Sequence, residues 1–345
     1  MELSIIIPVF NVEDYIRPCL ESILKQGFDE DCFEIIIVND GSHDKSIEVI
    51  SDLIKAHHNI QVIEQENQGV SIARNNGINK ASGEYILFID GDDLLINNSV
   101  FFLLEKAIHS KADLVVADSI EMSDEKIDLF SNKTFIQKDG NTQKKTGKEL
   151  HLQDLNPYYC QVWRTIYRRN FLNQNNLRFI PHIYYEDIPF THQCYLKANL
   201  CLRVNWTFYI YRIGHSSITS SITYKKAIDF CSVISETWKL SKDRNLDDRI
   251  VKKIQNDTFI HYSMLIYALT SCTSIPRLQK MSVLYHLKKN CPDLTFRHSI
   301  KQRIVNFLYH RIPFTYMTLR IFYAKYLQDL FWYIGDTIRN KKNRH

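Results

Sequence analysis

The sequence predicts an α/β fold, an open and mostly parallel sheet with helices on both faces, followed by a C-terminal helical region. Three observations predict it. Short, nearly continuous apolar runs recur through the first 120 residues, and helical spacings separate them. After about Ser220 the strand signals stop and the pattern becomes helical and aromatic. Continuous apolar runs mark strands covered on both faces, and strands joined by helix-length crossovers pair in parallel.

Leu3 to Phe10 reads as the first strand. Val12, Tyr15, Ile16, Cys19, Leu20, Ile23 and Leu24 then follow helical spacing, with Asn11 a candidate cap and Pro18 expected to kink or restart the helix. Glu34 to Asn39 is a second strand and Asp44 to His57 a helix. Ile60 to Glu64 and Val70 to Ala81 form the next strand and helix. Tyr85 to Asp90 is a fourth strand and Asp113 to Ser119 a fifth. Glu121 to Gln153 is polar and lysine-rich, which predicts an exposed excursion. A helix over Glu186 to Ala198 and a strand pair within Leu202 to Ile213 complete a domain spanning residues 1–220. Residues 221–345 form the helical, basic and aromatic region.

Composition bounds the rest. Of 345 residues, 45% are hydrophobic and 24% charged, which excludes disordered, collagenous and disulfide-dense classes. Lys and Arg number 43 against 39 acids. From Arg297 to His345 there are 10 against 2, so a basic tail of +8 follows a body of −4. That asymmetry predicts an anionic partner for the tail. Its Phe307, Tyr309, Phe314, Tyr316, Phe322, Tyr323, Tyr326, Phe331 and Trp332 interleave with Arg303, Arg311, Arg320 and Lys325. Such a mixture either rests on an anionic membrane surface or packs as a helical bundle. No nucleic-acid module is recognisable, so no nucleic-acid partner is expected. The eight cysteines show no C-x-x-C spacing, as in reduced thiols. The N-terminus lacks a signal-peptide pattern, and Thr258 to Pro276 reads as a buried helix rather than a membrane span. The predicted location is cytoplasmic, with peripheral attachment to the inner face of the cell membrane as the extension the tail suggests.

Ligands of open α/β sheets bind beyond the carboxyl ends of the strands. Pro8-Val9-Phe10-Asn11, Asn39-Asp40-Gly41-Ser42 and Asp90-Gly91-Asp92-Asp93 all fall there. Asp90 and Asp92, two apart on extended chain, share a face and offer hard oxygen ligands for Mg²⁺ or Mn²⁺; alternatively the segment is a solvated Asp-Gly turn. Gly91 permits a tight turn and close backbone approach. Asp40 either closes a simple turn or accepts from a nucleotide base or ribose. Arg74 is either an exposed helix charge or a fixed donor. Glu186 and Asp187 either complement a helix dipole or place a general base near the aromatic run before them. Trp163, Arg164 and Tyr167 are either core packing with a salt bridge or an acceptor wall. His215, Ser216 and Ser217 are a weaker polar candidate.

Taken together, Ser4 to Asn11, Val38 to Ser42, Gln68-Gly69 with Ala73-Arg74-Asn75, and Asp90 to Asp93 resemble the family two glycosyltransferases with the GT-A fold. Tyr185-Glu186-Asp187 matches that family's later Glu-Asp element. The resemblance is specific over about Met1 to Leu95, weaker from Tyr158 to about Ser221, and ends there. It implies that Pro8, Val9, Phe10 and Asn11 line the nucleotide, that Asp40 and Arg74 contact uracil or ribose, and that Asp90, Gly91 and Asp92 face the ribose and metal. Asp187 is implied as catalytic base, Glu186 as an acceptor contact, and Trp163 and Arg164 as further acceptor residues.

The implied reaction is inverting transfer from a nucleotide-diphosphate sugar, with a UDP-sugar as the expected donor class, to a hydroxyl of a glycan or lipid-linked glycan in surface polysaccharide synthesis, assisted by Mn²⁺ or Mg²⁺. A sugar-phosphate nucleotidyltransferase would carry a glycine- and arginine-rich loop where Pro8 to Asn11 stands. Neither phosphate-binding glycine motif, G-x-x-x-x-G-K-[ST] or G-x-G-x-x-G, is present. A non-catalytic nucleotide-sugar-binding subunit is the remaining rival.

Overall fold

The computed structural model describes residues 1–130, 140–158, 160–214 and 221–311. The chain divides into two units, Met1–Ser217 and Ile218–His345.

In the first unit, β1 (Leu3–Val9), β2 (Phe33–Asn39), β3 (Ile60–Glu64) and β4 (Tyr85–Phe88) lie in the order β3-β2-β1-β4, all parallel. Ile5, Ile7, Ile35, Ile37 and Leu87 are fully buried. Each such side chain contributes about 1.5–3 kcal/mol by leaving water. Val9 is in register with Asn39, and Asn39 with Glu64, so the strand exits come out along one edge.

Beyond β4 the sheet changes character. β8 (Thr165–Arg168) runs antiparallel between β4 and β6 (Leu114–Ser123). β9 (Cys201–Ile213) runs parallel to β6 and pairs antiparallel with β5 (Leu94–Leu95) and β7 (Thr142–Lys145). The sheet is therefore mixed at this end, with parallel pairing still the larger share of the whole. The expected strand pair within Leu202 to Ile213 is one strand, whose register against β6 shifts near Asp118. The stretch from Glu121 to Gln153, expected as an exposed excursion, carries regular elements among its described residues. It holds the end of β6, α5 (Asp124–Phe130), β7 and α6 (Gly147–Gln153), the last opened by a capping box between Thr146 and Glu149.

Helix α1 (Ile16–Leu24) starts later than the apolar spacing suggested. Pro18 sits in its first turn, where a missing N–H leaves no intrahelical bond unmade, so the helix is not broken. Asn11 is not its cap; it adopts φ +53° and bonds elsewhere. The segment after β2 forms a 3₁₀ turn, Glu48–Ile50, leading into α2 (Ser51–Ala56). α3 (Val70–Lys80) lies against β1 and β2. A Cβ on Gly77 would collide with the Ile6 side chain, so the glycine sets the helix–sheet approach. Gly77→Ala is expected to destabilise the fold by about 1–3 kcal/mol, read from the urea midpoint; an unchanged midpoint would show that Ile6 can give way. α4 (Val100–Ser110), α7 (Arg169–Gln174) and α8 (Asp187–Lys197) complete this unit.

The second unit consists, among the described residues, of α9 (Tyr224–Leu240), α10 (Asp248–Ser271), α11 (Arg277–Asn290) and α12 (Ile300–Arg311). Thr223 caps α9 through the Lys226 amide, and Asp247 caps α10 through those of Arg249 and Ile250. No helix of the described residues is long and apolar enough to cross a membrane. The tail aromatics from Phe314 to Trp332, and His215, Ser216 and Ser217, lie outside the described residues.

Candidate active site

The β1 and β2 exits are joined by side chains. Asn11 Oδ1 accepts from the His43 amide at 2.8 Å, and the Asn11 amide donates to Ser42 Oγ at 3.2 Å. The Ser42 amide donates to Asn39 Oδ1 at 3.1 Å. An asparagine tolerates the left-handed backbone that this geometry requires. Phe10 projects beyond the strand, 37% exposed, with its ring edge-on to His43 at 6.4 Å. Val9 does not line the site with its side chain, which is wholly buried in the core; only its carbonyl faces the exits, accepting from the Asp40 amide at 2.8 Å. An open cleft of ≈ 590 Å³ adjoins these exits, lined by Gly41, Ser42, His43, Glu64, Gln65, Glu66 and Asn67.

Asp40 is buried, and its carboxylate organises the next loop. Oδ1 accepts from Gln65 Nε2 at 2.7 Å and the Gln68 amide at 2.8 Å, and Oδ2 accepts from the Gly69 amide at 2.8 Å. Three of about four acceptor positions are thereby used, which leaves about one for a donor from outside. The loop it holds leads through Gly69, at φ +91°, into α3 and Arg74.

Arg74 is 4% exposed, not the surface charge that an isolated helical arginine suggests. One terminal nitrogen donates to Asp90 Oδ1 at 2.7 Å and the other to Glu186 Oε1 at 2.5 Å. Its guanidinium also lies 5.3 Å from the centre of the Phe179 ring. The two carboxylates hold its pKa above the ordinary arginine value despite burial, which opposes the charge. Nε is buried without a hydrogen-bond partner among the described residues. Glu186 is likewise buried and engaged by Arg74.

An aromatic cluster brings Glu186 and Asp187 to Asp90. Phe179 and Phe190 stack at 3.9 Å, and Phe88 at the end of β4 meets both edge-on, at 5.3 and 6.3 Å. Asn75 reinforces this by pairing its side-chain amide with the backbone of Phe179, at 2.8 and 2.9 Å. The α8 N-terminus is thus seated against the strand that ends at Asp90. Tyr185, immediately before it, has φ +64°, a conformation that costs a bulky residue about 1–3 kcal/mol and persists because its surroundings fix it. Burial, then the adjacent Glu186 charge, raise the Asp187 pKa to about 7 against the pull of Arg74. A carboxyl tuned near neutrality is suited to accepting a proton.

The acidic segment after β4 is held from the opposite side by β9. Tyr209 Oη donates to Asp93 Oδ2 at 2.6 Å and accepts from the Asp90 amide at 3.2 Å. The Arg212 amide donates to Asp93 Oδ1, and Arg212 Nε to the Asp92 carbonyl, both at 2.8 Å. Burial and the charges of Asp90 and Asp92 raise the Asp93 pKa to about 9. Asp93 is therefore a structural anchor. At Gly91 a Cβ would stand 3.3 Å from Val12 and 3.5 Å from the Pro8 carbonyl, so the glycine permits the exits of β1 and β4 to approach.

Asp90 and Asp92 carry the type of oxygen ligand that a hard divalent cation takes. Asp90 is partly exposed, and its Oδ2 accepts no hydrogen bond among the described residues. Two carboxylates suit Mg²⁺ or Mn²⁺ that completes its shell with water and phosphate oxygens.

Trp163 and Arg164, the expected acceptor residues, both have partners within the fold. Trp163 is 4% exposed and stacks on Tyr209 at 4.1 Å and 7°, packing behind the residue that anchors Asp93. Arg164 bonds the Ala117 carbonyl and Asp118, both at 3.3 Å. Sequence reasoning missed Phe179, Phe190, Tyr209 and Arg212. Arg212 had a signal: a charged residue within the apolar run Phe208 to Ile213 needs a buried partner.

The sheet gathers acidic and aromatic residues at its strand exits. Residues 4–174 match the profile described as Glycosyl transferase family 2. The chain is 35% identical to the glycosyltransferase EpsJ of Bacillus subtilis over 66% of its own length and 65% of that protein's. It is 31% identical to a glycosyltransferase of Haemophilus influenzae, covering 66% of this chain and 84% of the relative. Among solved structures, Staphylococcus aureus TarS in complex with UDP-GlcNAc superposes with a TM-score of 0.73 over 94% of this chain and 92% of that one, at 20% identity, a likeness of fold. The chain belongs to glycosyltransferase family 2 and has the GT-A fold.

Proposed function

We propose that the enzyme transfers a hexosyl or N-acetylhexosaminyl group, with inversion, from a UDP-sugar to a hydroxyl of a glycan or lipid-linked glycan during surface polysaccharide synthesis. The observation that carries this reading is the Arg74 bridge, which ties Asp90 to Glu186 and so holds Asp187 beside the acidic strand exit. Donor and acceptor chemistry then share one site. The UDP-GlcNAc bound by TarS supports the donor class, and the family resemblance supports the polysaccharide setting.

In this reading Pro8, Phe10 and Asn11 form one wall for the nucleotide, with the exposed Phe10 ring against the base. Asp40 offers its remaining acceptor position to a base or ribose donor, and Arg74 its remaining terminal N–H groups. Asp90 and Asp92 would hold Mn²⁺ or Mg²⁺, which when bound supplies compensation for the charge gathering on the leaving diphosphate. Asp187 removes the proton from the attacking acceptor hydroxyl, and Glu186, through Arg74, keeps it in place. Holding both substrates in one geometry adds acceleration by proximity. All eight cysteines are free thiols, which supports a cytoplasmic location.

The test is thermal stabilisation of the full chain by a panel of nucleotide sugars with and without Mn²⁺, because a ligand that binds only the native state raises its stability. UDP-sugars with Mn²⁺ are expected to raise Tm more than either alone, and Asp92→Ala to abolish that synergy. Equal stabilisation of the parent and the Asp92→Ala variant would remove Asp92 from the donor site.

A further inference from the structure

The second unit presents a surface that transfer chemistry does not require. Between residues 277 and 311 there are eight Lys or Arg and a single acid, Asp293. On α11, Leu278 is 79% exposed and Tyr285 60%; on α12, Ile300 is 77% exposed and Phe307 56%. Seven residues are nearly two helical turns, so each pair shares one stripe of its helix. Lys289 follows Tyr285 by four positions and Arg303 follows Ile300 by three, which puts an exposed cation on each stripe.

These stripes are not the faces by which the unit packs. α11 buries Val283 and Leu287, and α12 buries Val305 and Tyr309. The Tyr309 hydroxyl donates to the Cys291 carbonyl at 2.9 Å, and Lys288 Nζ reaches the His310 carbonyl at 3.4 Å, which fixes α12 against the end of α11. Large apolar side chains therefore stand in water on helices already packed on their other side.

We propose that the α11–α12 surface docks the enzyme on an anionic phospholipid bilayer. Leu278, Tyr285, Ile300 and Phe307 enter the headgroup–acyl boundary, while Arg277, Lys289, Lys301 and Arg303 meet the lipid phosphates. The charge of this segment is of one sign apart from Asp293, complementary to an anionic plane. Its apolar side chains are spaced along two helices, which suits shallow insertion better than a pocket-forming protein interface. The docking stands independently of the transfer reaction, and its test reads binding alone.

The test is flotation of the full chain with vesicles of phosphatidylcholine containing phosphatidylglycerol, and with phosphatidylcholine alone. Binding to the anionic vesicles is expected to exceed binding to the neutral ones by at least about tenfold and to weaken as salt is raised. Leu278→Ser, Tyr285→Ser, Ile300→Ser and Phe307→Ser combined are expected to lower it about tenfold or more with Tm unchanged, since the replaced side chains are exposed. Arg277→Gln, Lys289→Gln, Lys301→Gln and Arg303→Gln combined are expected to abolish the preference for anionic lipid. Parent-like flotation of both combined variants would transfer the contact to other residues and overturn the proposal. So would equal binding to both vesicle types, or self-association through this face in place of lipid binding.

Discussion

Replacing Asp187 with Asn is expected to reduce transfer by about 10²–10⁴ while leaving donor binding intact, the range attributed to general-base assistance. The amide keeps the size of the side chain but cannot take the acceptor proton. A donor-stabilisation assay and a transfer assay on the same preparation separate the two effects. The pH profile provides a second readout. With the carboxyl raised to about 7, kcat/KM of the parent should climb with pH and level off above that value. The Asn variant should lack this limb. Stability should move oppositely. Between about pH 4 and 7 the native carboxyl binds more proton than the unfolded one, so its contribution to stability falls as pH rises through that window. The Asn variant should therefore gain on the parent between pH 5 and pH 8. Transfer at the parent rate by the Asn variant would sink the base assignment.

Arg74→Met is expected to destabilise the first unit by about 3–5 kcal/mol, the usual consequence of removing one member of a buried ion pair. Two carboxylates lose their common partner at once, because Arg74 bonds both Asp90 and Glu186. Arg74→Lys should recover only part of the loss: an ammonium is a single point and lacks the planar fork that spans two acceptors. Urea unfolding measures both variants. A Met variant within about 1 kcal/mol of the parent would mean that the bridge is dispensable, and with it the coupling of Asp187 to the strand exit.

Much of this was legible in the sequence, for an identifiable reason. β1 to β4 are short apolar runs closed by polar exits, and parallel pairing places those exits on one edge whatever else the chain does. Asp40, Asp90 and Asp92 could thus be selected from the sequence, whereas Asp187, at the start of α8, rested on the family resemblance. β8 was not legible: it is four residues long, and its antiparallel insertion between β4 and β6 depends on contacts remote in sequence. Residue roles were harder than residue identities. Glu186 and Arg74 were expected to face substrates, yet each takes the other as partner, because burial leaves an ionised group stable only with an opposite charge at hand. For Trp163 the sequence left core packing and an acceptor wall both open, and the ring stacks on Tyr209.

The most direct test of the central claim is an anomalous difference map from crystals of the full chain grown with UDP and Mn²⁺. A manganese peak is expected within coordination distance of the Asp92 carboxylate, with the diphosphate bound to it and Asp187 lining the same cavity. A peak held by neither Asp90 nor Asp92, or a nucleotide seated away from Phe10 and Asp40, would contradict it.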